Sequence, residues 1–132
     1  MSFLLDTSVV IAYFRRDQAV IDDLRSRRHQ GLAVSAVSVG ELYEGVFLLA
    51  SPSRSAAAEL ILVEFLSEIS VLPVDDAIGR LFGQERARLR RAGNPMSDID
   101  LLIAATALHH GLTLLTSDRD FERLEQLQSI FL

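Results

Sequence analysis

Acidic side chains recur in this chain where an apolar run gives way to a helix. Asp6 follows Phe3-Leu4-Leu5 directly and is itself followed by Thr7 and Ser8. Glu41 lies beyond Leu32-Ala33-Val34 and the stretch from Ser35 to Ser38. Asp98 and Asp100 open the apolar stretch that runs to Leu108, and Asp118 comes just after Leu112-Thr113-Leu114-Leu115-Thr116. Taken singly, each has an ordinary explanation. Asp, Ser and Thr are preferred helix N-caps because a side-chain oxygen takes a free backbone N–H. Ser38 and Glu41 have the spacing of a capping box, and Asp98 beside Ser97 reads as a cap. Capping leaves Asp100 without a structural task. The helix it begins is apolar on every side from Leu101 onward, so it should be buried, and a buried charge needs a partner.

If Asp6, Glu41, Asp100 and Asp118 meet in one crevice, they cannot gather uncompensated, because like charges at close range raise one another's pKa. A divalent cation resolves the conflict. Oxygen-only donors suit a hard ion, Mg²⁺ or Mn²⁺, and not zinc. Such a site implies phosphodiester chemistry. One metal activates a water, and a second, where present about 4 Å away, stabilises the leaving oxygen.

The elements that must position these groups follow from the hydrophobic pattern. Short apolar runs at Phe3-Leu4-Leu5, Leu32-Ala33-Val34, Ser70 to Val74 and Leu112 to Thr116 read as strands, with Ser129 to Leu132 as a final edge strand. Helical stretches separate them: Ser8 to Arg15, one capped by Asp17 and ended by Gly31, one to about Leu49, Arg54 to Glu68, Ala77 to Arg91, and Asp98 to His110. Ser51-Pro52-Ser53 reads as an exposed break, Asp75-Asp76 as a plain helix cap, and Asp118 as the start of a short helix to Leu127. Strands alternating with helices give an α/β fold: a mostly parallel central sheet of four to five short strands flanked by helices. In such a sheet the carboxyl ends of the strands share one edge, and ligands bind there.

The bulk numbers narrow the function classes. At 132 residues, 49% hydrophobic and 23% charged, residues 1–132 are expected to form a single domain with a full core. There is no cysteine, which excludes disulfides and thiol chemistry and fits a reducing compartment; the expected location is the cytoplasm. All thirteen basic residues are arginine, so no lysine-dependent reaction is available. The net charge of −5 argues against a general polyanion binder. Asp6 interrupts the first apolar run, so it does not read as a signal peptide, and no stretch has the roughly 18 uncharged apolar residues of a membrane helix. Arg86, Arg88, Arg90 and Arg91 crowd one helix end, more than a helix dipole needs, and are the candidate RNA-contacting edge. His109 and His110 precede Gly111 and suit a helix C-terminus.

Asp6-Thr7-Ser8, Glu41 in Val39-Gly40-Glu41-Leu42, the run from Asp100 to Leu108 and Leu115-Thr116-Ser117-Asp118 resemble the motifs of PIN domains. The likeness is greatest to the VapC-type ribonuclease toxins of prokaryotic toxin–antitoxin pairs. It covers the whole chain, and Asp-x-x-Ile-Ala-Ala is its most specific part. The resemblance implies a three-layer PIN-like fold. It makes Asp6 and Asp100 the principal metal ligands, with Glu41 and Asp118 completing the catalytic acidic site. Thr7 and Thr116 would orient the carboxylates, and Asp98 would either support the site or only cap its helix. The implied activity is Mg²⁺-dependent endoribonuclease cleavage by the toxin of a type II toxin–antitoxin pair, with Mn²⁺ able to substitute. The implied partners are an RNA substrate, a small antitoxin whose C-terminal segment lies over the toxin's groove, and a second copy in a homodimer. Phe47, Leu48 and Leu49 are the expected partner or dimer contact, with core as the alternative. Two other readings stand beside this one: a catalytically weak PIN-like binding or regulatory module, and a DNA-directed structure-specific nuclease. Other Asp-led α/β folds fit less well. A dehalogenase-type phosphatase wants Asp where Ser8 stands, a receiver domain wants a lysine, and a dinucleotide fold wants a Gly-rich turn after the first strand.

Overall fold

The computed structural model describes all 132 residues. Five strands form one parallel sheet: β1 (Phe3–Leu5), β2 (Leu32–Ser35), β3 (Ser70–Leu72), β4 (Thr113–Thr116) and β5 (Ser129–Phe131). Their order is β3-β2-β1-β4-β5. Six helices connect them: α1 (Thr7–Phe14), α2 (Gln18–Arg27), α3 (Ala36–Phe47), α4 (Pro52–Ser67), α5 (Asp76–Arg91) and α6 (Asp98–His110). Short 3₁₀ turns follow α2 and β4, at Arg28–Gln30 and Arg119–Arg123.

Successive strand residues point to opposite faces, which sorts the core into two layers. Leu4, Ala33 and Leu114 pack on one face against Ile103, Ala104 and Phe121. Phe3, Leu5, Val34 and Leu115 pack on the other against Val9, Val10, Leu42 and Leu62. With both faces covered, the middles of the central strands are unbroken apolar runs, as parallel sheets require, and polar residues enter only at strand ends such as Ser35 and Thr116. The chain builds β2 and β3 on one side of β1, then β4 and β5 on the other. That reversal opens a crevice at the carboxyl ends of β1 and β4, where ligands bind in sheets of this kind.

Helix α6 is buried at Leu101 and from Ile103 to Ala107, as its unbroken apolar sequence requires. It ends at Gly111, whose φ of 65° is the left-handed conformation that glycine adopts without steric cost. Because α6 leads into β4 through only two residues, it runs back against the strands. Its N-terminus therefore lies at the carboxyl edge of the sheet.

Several boundaries differ from the sequence expectation. Strand β2 extends to Ser35, whose hydroxyl accepts from the Val37 N–H at 3.1 Å and caps α3. The helix thus begins before Ser38, and Glu41 lies beyond the first turn, so the Ser38–Glu41 capping box does not form. Ser51-Pro52-Ser53 is not a free loop: Ser51 caps α4 by accepting from the Arg54 N–H, and Pro52 is its first residue, where a missing N–H costs nothing. β3 stops at Leu72 rather than Val74, and the segment from Asp118 is a single 3₁₀ turn ending at Arg123. Asp17 and Asp75 cap α2 and α5 as expected, accepting from the N–H groups of Val20 and Ile78.

Candidate functional site

Asp6 occupies the N-cap position of α1, yet its carboxylate accepts no helix N–H. It is only 4% exposed and is held by hydroxyls instead. Oδ2 accepts from Thr116 Oγ1 at 2.8 Å and from Ser8 Oγ at 2.7 Å. Each hydroxyl is itself fixed by β4's exit, because Thr116 Oγ1 accepts from the Asp118 N–H and Ser8 Oγ from the Ser117 N–H. The β1–α1 junction and the end of β4 are thus tied by a network in which each hydroxyl has both a donor and an acceptor role. Glu41 reaches the same junction from α3: its Oε1 accepts from Thr7 Oγ1 at 2.6 Å.

Asp100 sits in the first turn of α6, where the Ser97 hydroxyl accepts from its N–H at 3.2 Å. Ser97 is the cap of this helix. Carboxylate oxygens of Asp100, Asp118 and Asp120 lie within 4.8 Å of one another. Burial pushes the Asp100 carboxyl above its ordinary value of 3.8. A Ser97 hydrogen bond pulls it down, and the charges of Asp6, Asp118 and Glu41 push it up again. Four acids from four separate stretches therefore share one electrostatic field. Asp6 and Glu41 lie outside the tight triplet but still act on Asp100. The donor set is all carboxylate, and burial together with that crowding disfavours ionisation of Asp100. Its chemistry fits a hard divalent cation.

Two contributors were not singled out from the sequence. Asp120 joins Asp100 and Asp118 because the 3₁₀ turn folds residues two apart together; Asp118 Oδ1 accepts from the Asp120 N–H at 2.9 Å. The Asp-x-Asp spacing was the available signal. Ser8 grips Asp6 from within the first turn of α1.

Asp98 is a correction. It caps nothing, because Ser97 does, and its exposed carboxylate pairs with Arg86 at 2.8 Å. The arginine cluster divides accordingly. Arg86 is committed to Asp98, and Arg88 to the buried Glu85 at 2.7 Å. Arg90 and Arg91 form no ion pair and flank a shallow depression of about 320 Å³ with Phe82 and Gly83. The Arg86–Asp98 pair places this basic end of α5 beside the first turn of α6.

On the other side of the site, α1, α3 and α4 enclose an apolar groove of about 450 Å³. Ile11, Phe14, Leu42, Val46 and Leu49 line it, and Glu41 and Arg15 are its charged members. Phe47 and Leu48 at the end of α3 are 63% and 75% exposed, which removes them from the core. No helix is long and apolar enough to cross a membrane.

Comparison with known proteins bears on this arrangement directly. The model of the PIN domain matches residues 3–127, a span that includes every acidic junction described above. A tRNA(fMet)-specific endonuclease VapC of Shigella flexneri is 32% identical over 130 residues, covering 98% of this chain and 96% of that protein. Ribonuclease VapC5 of Mycobacterium tuberculosis is 34% identical over 130 residues, covering 96% and 90%. Among solved structures, DNA-bound VapBC from Salmonella typhimurium superposes with a TM-score of 0.89 at 27% identity, covering 99% of this chain and 98% of that one. The sheet order, the acid at the end of β1 and the full-length matches agree, and the chain belongs to the PIN domain family.

Proposed function

We propose that this protein is a Mg²⁺-dependent endoribonuclease and the toxin of a type II toxin–antitoxin pair. The observation that carries the reading is the convergence of Asp6, Glu41, Asp100 and Asp118 on one crevice, where burial first, and then the charges of the other three, raise the Asp100 carboxyl. Relatives matched along the whole chain are named ribonucleases, which supports RNA as the substrate class. No acidic position of the pattern is lost, which favours an enzyme over a binding module.

Asp100, Asp118 and Asp120, with Asp6 and Glu41 beside that triplet, would hold Mg²⁺; Mn²⁺ suits the same oxygen donors. Bound there, the ion supplies Lewis acidity toward a phosphodiester and lowers the pKa of water. The chain's own residues do the rest. Thr116 and Ser8 hold one oxygen of Asp6, so the carboxylate presents a fixed geometry. Thr7 does the same for Glu41. Such supporting hydrogen bonds are worth about 10–100-fold in metal affinity or activity. Arg90 and Arg91, free of ion pairs, would take backbone phosphates; Arg86 and Arg88 are already committed.

The groove beside Glu41 would take the C-terminal segment of an antitoxin. Solved relatives of this fold are VapBC complexes, which supports such a partner. The exposed Phe47 and Leu48 would contact a partner or a second copy in a homodimer. The test is cleavage of total cellular RNA by the purified chain with Mg²⁺, Mn²⁺ or EDTA, beside an Asp6→Asn, Asp100→Asn double variant. Metal-dependent cutting that the variant loses is expected. Equal behaviour of the two proteins would reject the carboxylate site.

A further inference from the structure

Ser38 is completely buried in the first turn of α3, and its hydroxyl has no hydrogen-bond partner in the protein. A buried, unpaired hydroxyl costs stability, so it needs an explanation. The usual outlet for a helical Ser or Thr is the carbonyl four residues earlier. Thr106 in α6 takes it, donating to the Leu102 carbonyl at 2.8 Å, but four residues before Ser38 is Val34, in β2 and ahead of the helix, so that outlet is not open to Ser38. Nor is Ser38 needed as a cap, because Ser35 performs that task.

Its position relative to the acidic site is specific. Ser38 lies three residues before Glu41, and residues three apart on a helix are surface neighbours. Glu41 is incompletely held. Its Oε1 accepts from Thr7, and its second oxygen has no protein donor. Asp6, by contrast, is gripped by two hydroxyls. The hydroxyl that would give Glu41 a second grip is that of Ser38.

We propose that Ser38 is a positioning residue of the metal centre. With the cation in place, its hydroxyl donates to the Glu41 carboxylate alongside Thr7, so that, as at Asp6, two hydroxyls grip one oxygen and the other stays free for the cation. This rests on the metal-site reading given above. It assigns a task to a side chain that otherwise only destabilises the fold.

The test compares Ser38→Ala with Ser129→Ala and wild type, measuring melting temperature in EDTA and Mn²⁺ affinity by calorimetry. Ser129 carries the other unpaired buried hydroxyl, at the start of β5 and so at the opposite edge of the sheet from the carboxylates. Ser38→Ala should melt about 2–8 °C higher in EDTA, because an unpaired buried hydroxyl is gone. It should also bind Mn²⁺ about 10–100-fold more weakly. Ser129→Ala should bind Mn²⁺ like wild type. A purely structural role cannot raise stability while lowering metal affinity. Wild-type affinity in Ser38→Ala would overturn the proposal, and so would a lowered melting temperature in EDTA. If wild type itself binds no Mn²⁺, the metal-site reading falls as well, which separates the two failures.

Discussion

The β1–α1 and β3–α5 junctions are written alike and used differently. Each is a short apolar strand that leads to an Asp at a helix N-cap position. Asp75 does what that pattern advertises: its carboxylate accepts from the Ile78 N–H at 3.0 Å. Asp6 does not, although it sits at the N-cap of α1. The difference lies in the neighbours. β3 is an edge strand, and Asp75 is exposed with only its own helix at hand. β1 is the central strand, and the end of β4 brings the Thr116 hydroxyl against Asp6 from 110 residues away. A carboxylate bound by hydroxyls on one oxygen keeps the other for a ligand. The Asp75 carboxylate, spent on a helix N–H away from the acidic cluster, is structural.

Substitutions sharpen this contrast. The largest effect is expected at the central junction: Asp6→Asn should lower RNA cleavage by more than about a hundredfold while the protein stays folded. Thr116→Val keeps the shape of a fully buried side chain but removes the hydroxyl that orients Asp6. It should cost about 10–100-fold in metal affinity, read by Mn²⁺ titration. At the edge junction, Asp75→Ala should cost about 1 kcal/mol of stability, lowering the melting temperature by roughly 3–6 °C. Cleavage per folded molecule should be unchanged.

Asp100 adds a pH signature. Its carboxyl titrates above the ordinary 3.8, so the folded protein holds that proton more tightly than the unfolded chain. The stabilisation is fully present below 3.8 and is lost as pH rises through the raised value. In EDTA at neutral pH, Asp100→Asn should therefore melt above wild type, and the gain should vanish in acid. The same variant should show no stabilisation by Mg²⁺, because a carboxylate that repels its neighbours is the one a cation needs. The smallest expected effect is at the basic end of α5. The Arg90→Ala, Arg91→Ala pair should flatten the salt dependence of RNA binding by about 0.7 in slope per arginine. Arg88→Ala, whose guanidinium is tied to Glu85, should leave the slope alone.

Much of this architecture is legible in the sequence because a parallel sheet covered on both faces writes itself as short unbroken apolar runs between helices. All five strands and the buried helix α6 follow from that pattern. The acids at the carboxyl edge follow too, since topology alone brings strand ends together. What stays hidden depends on contacts between distant residues or on a shift of a few positions. Ser35 and Ser38 are equally good caps on paper, and only the length of β2 decides between them. Asp98 looks like a cap because Arg86 is out of sight twelve residues earlier. Asp120 looks like an ordinary surface acid until the 3₁₀ turn folds it onto Asp118. Asp6 and Asp75 are indistinguishable until Thr116 is in place.

The most direct test of that distinction is Mn²⁺ binding by calorimetry with Asp6→Asn and Asp75→Asn side by side, each checked for a cooperative melt. At position 75 Asn caps a helix about as well as Asp, and at position 6 the Asn carbonyl oxygen can still accept from Thr116 and Ser8, so neither change should unfold the protein. The account predicts that Asp75→Asn binds Mn²⁺ like wild type and that Asp6→Asn loses the site. Equal affinity in the two variants would contradict it, and Asp6 would then serve only to tie the β1–α1 junction to the end of β4.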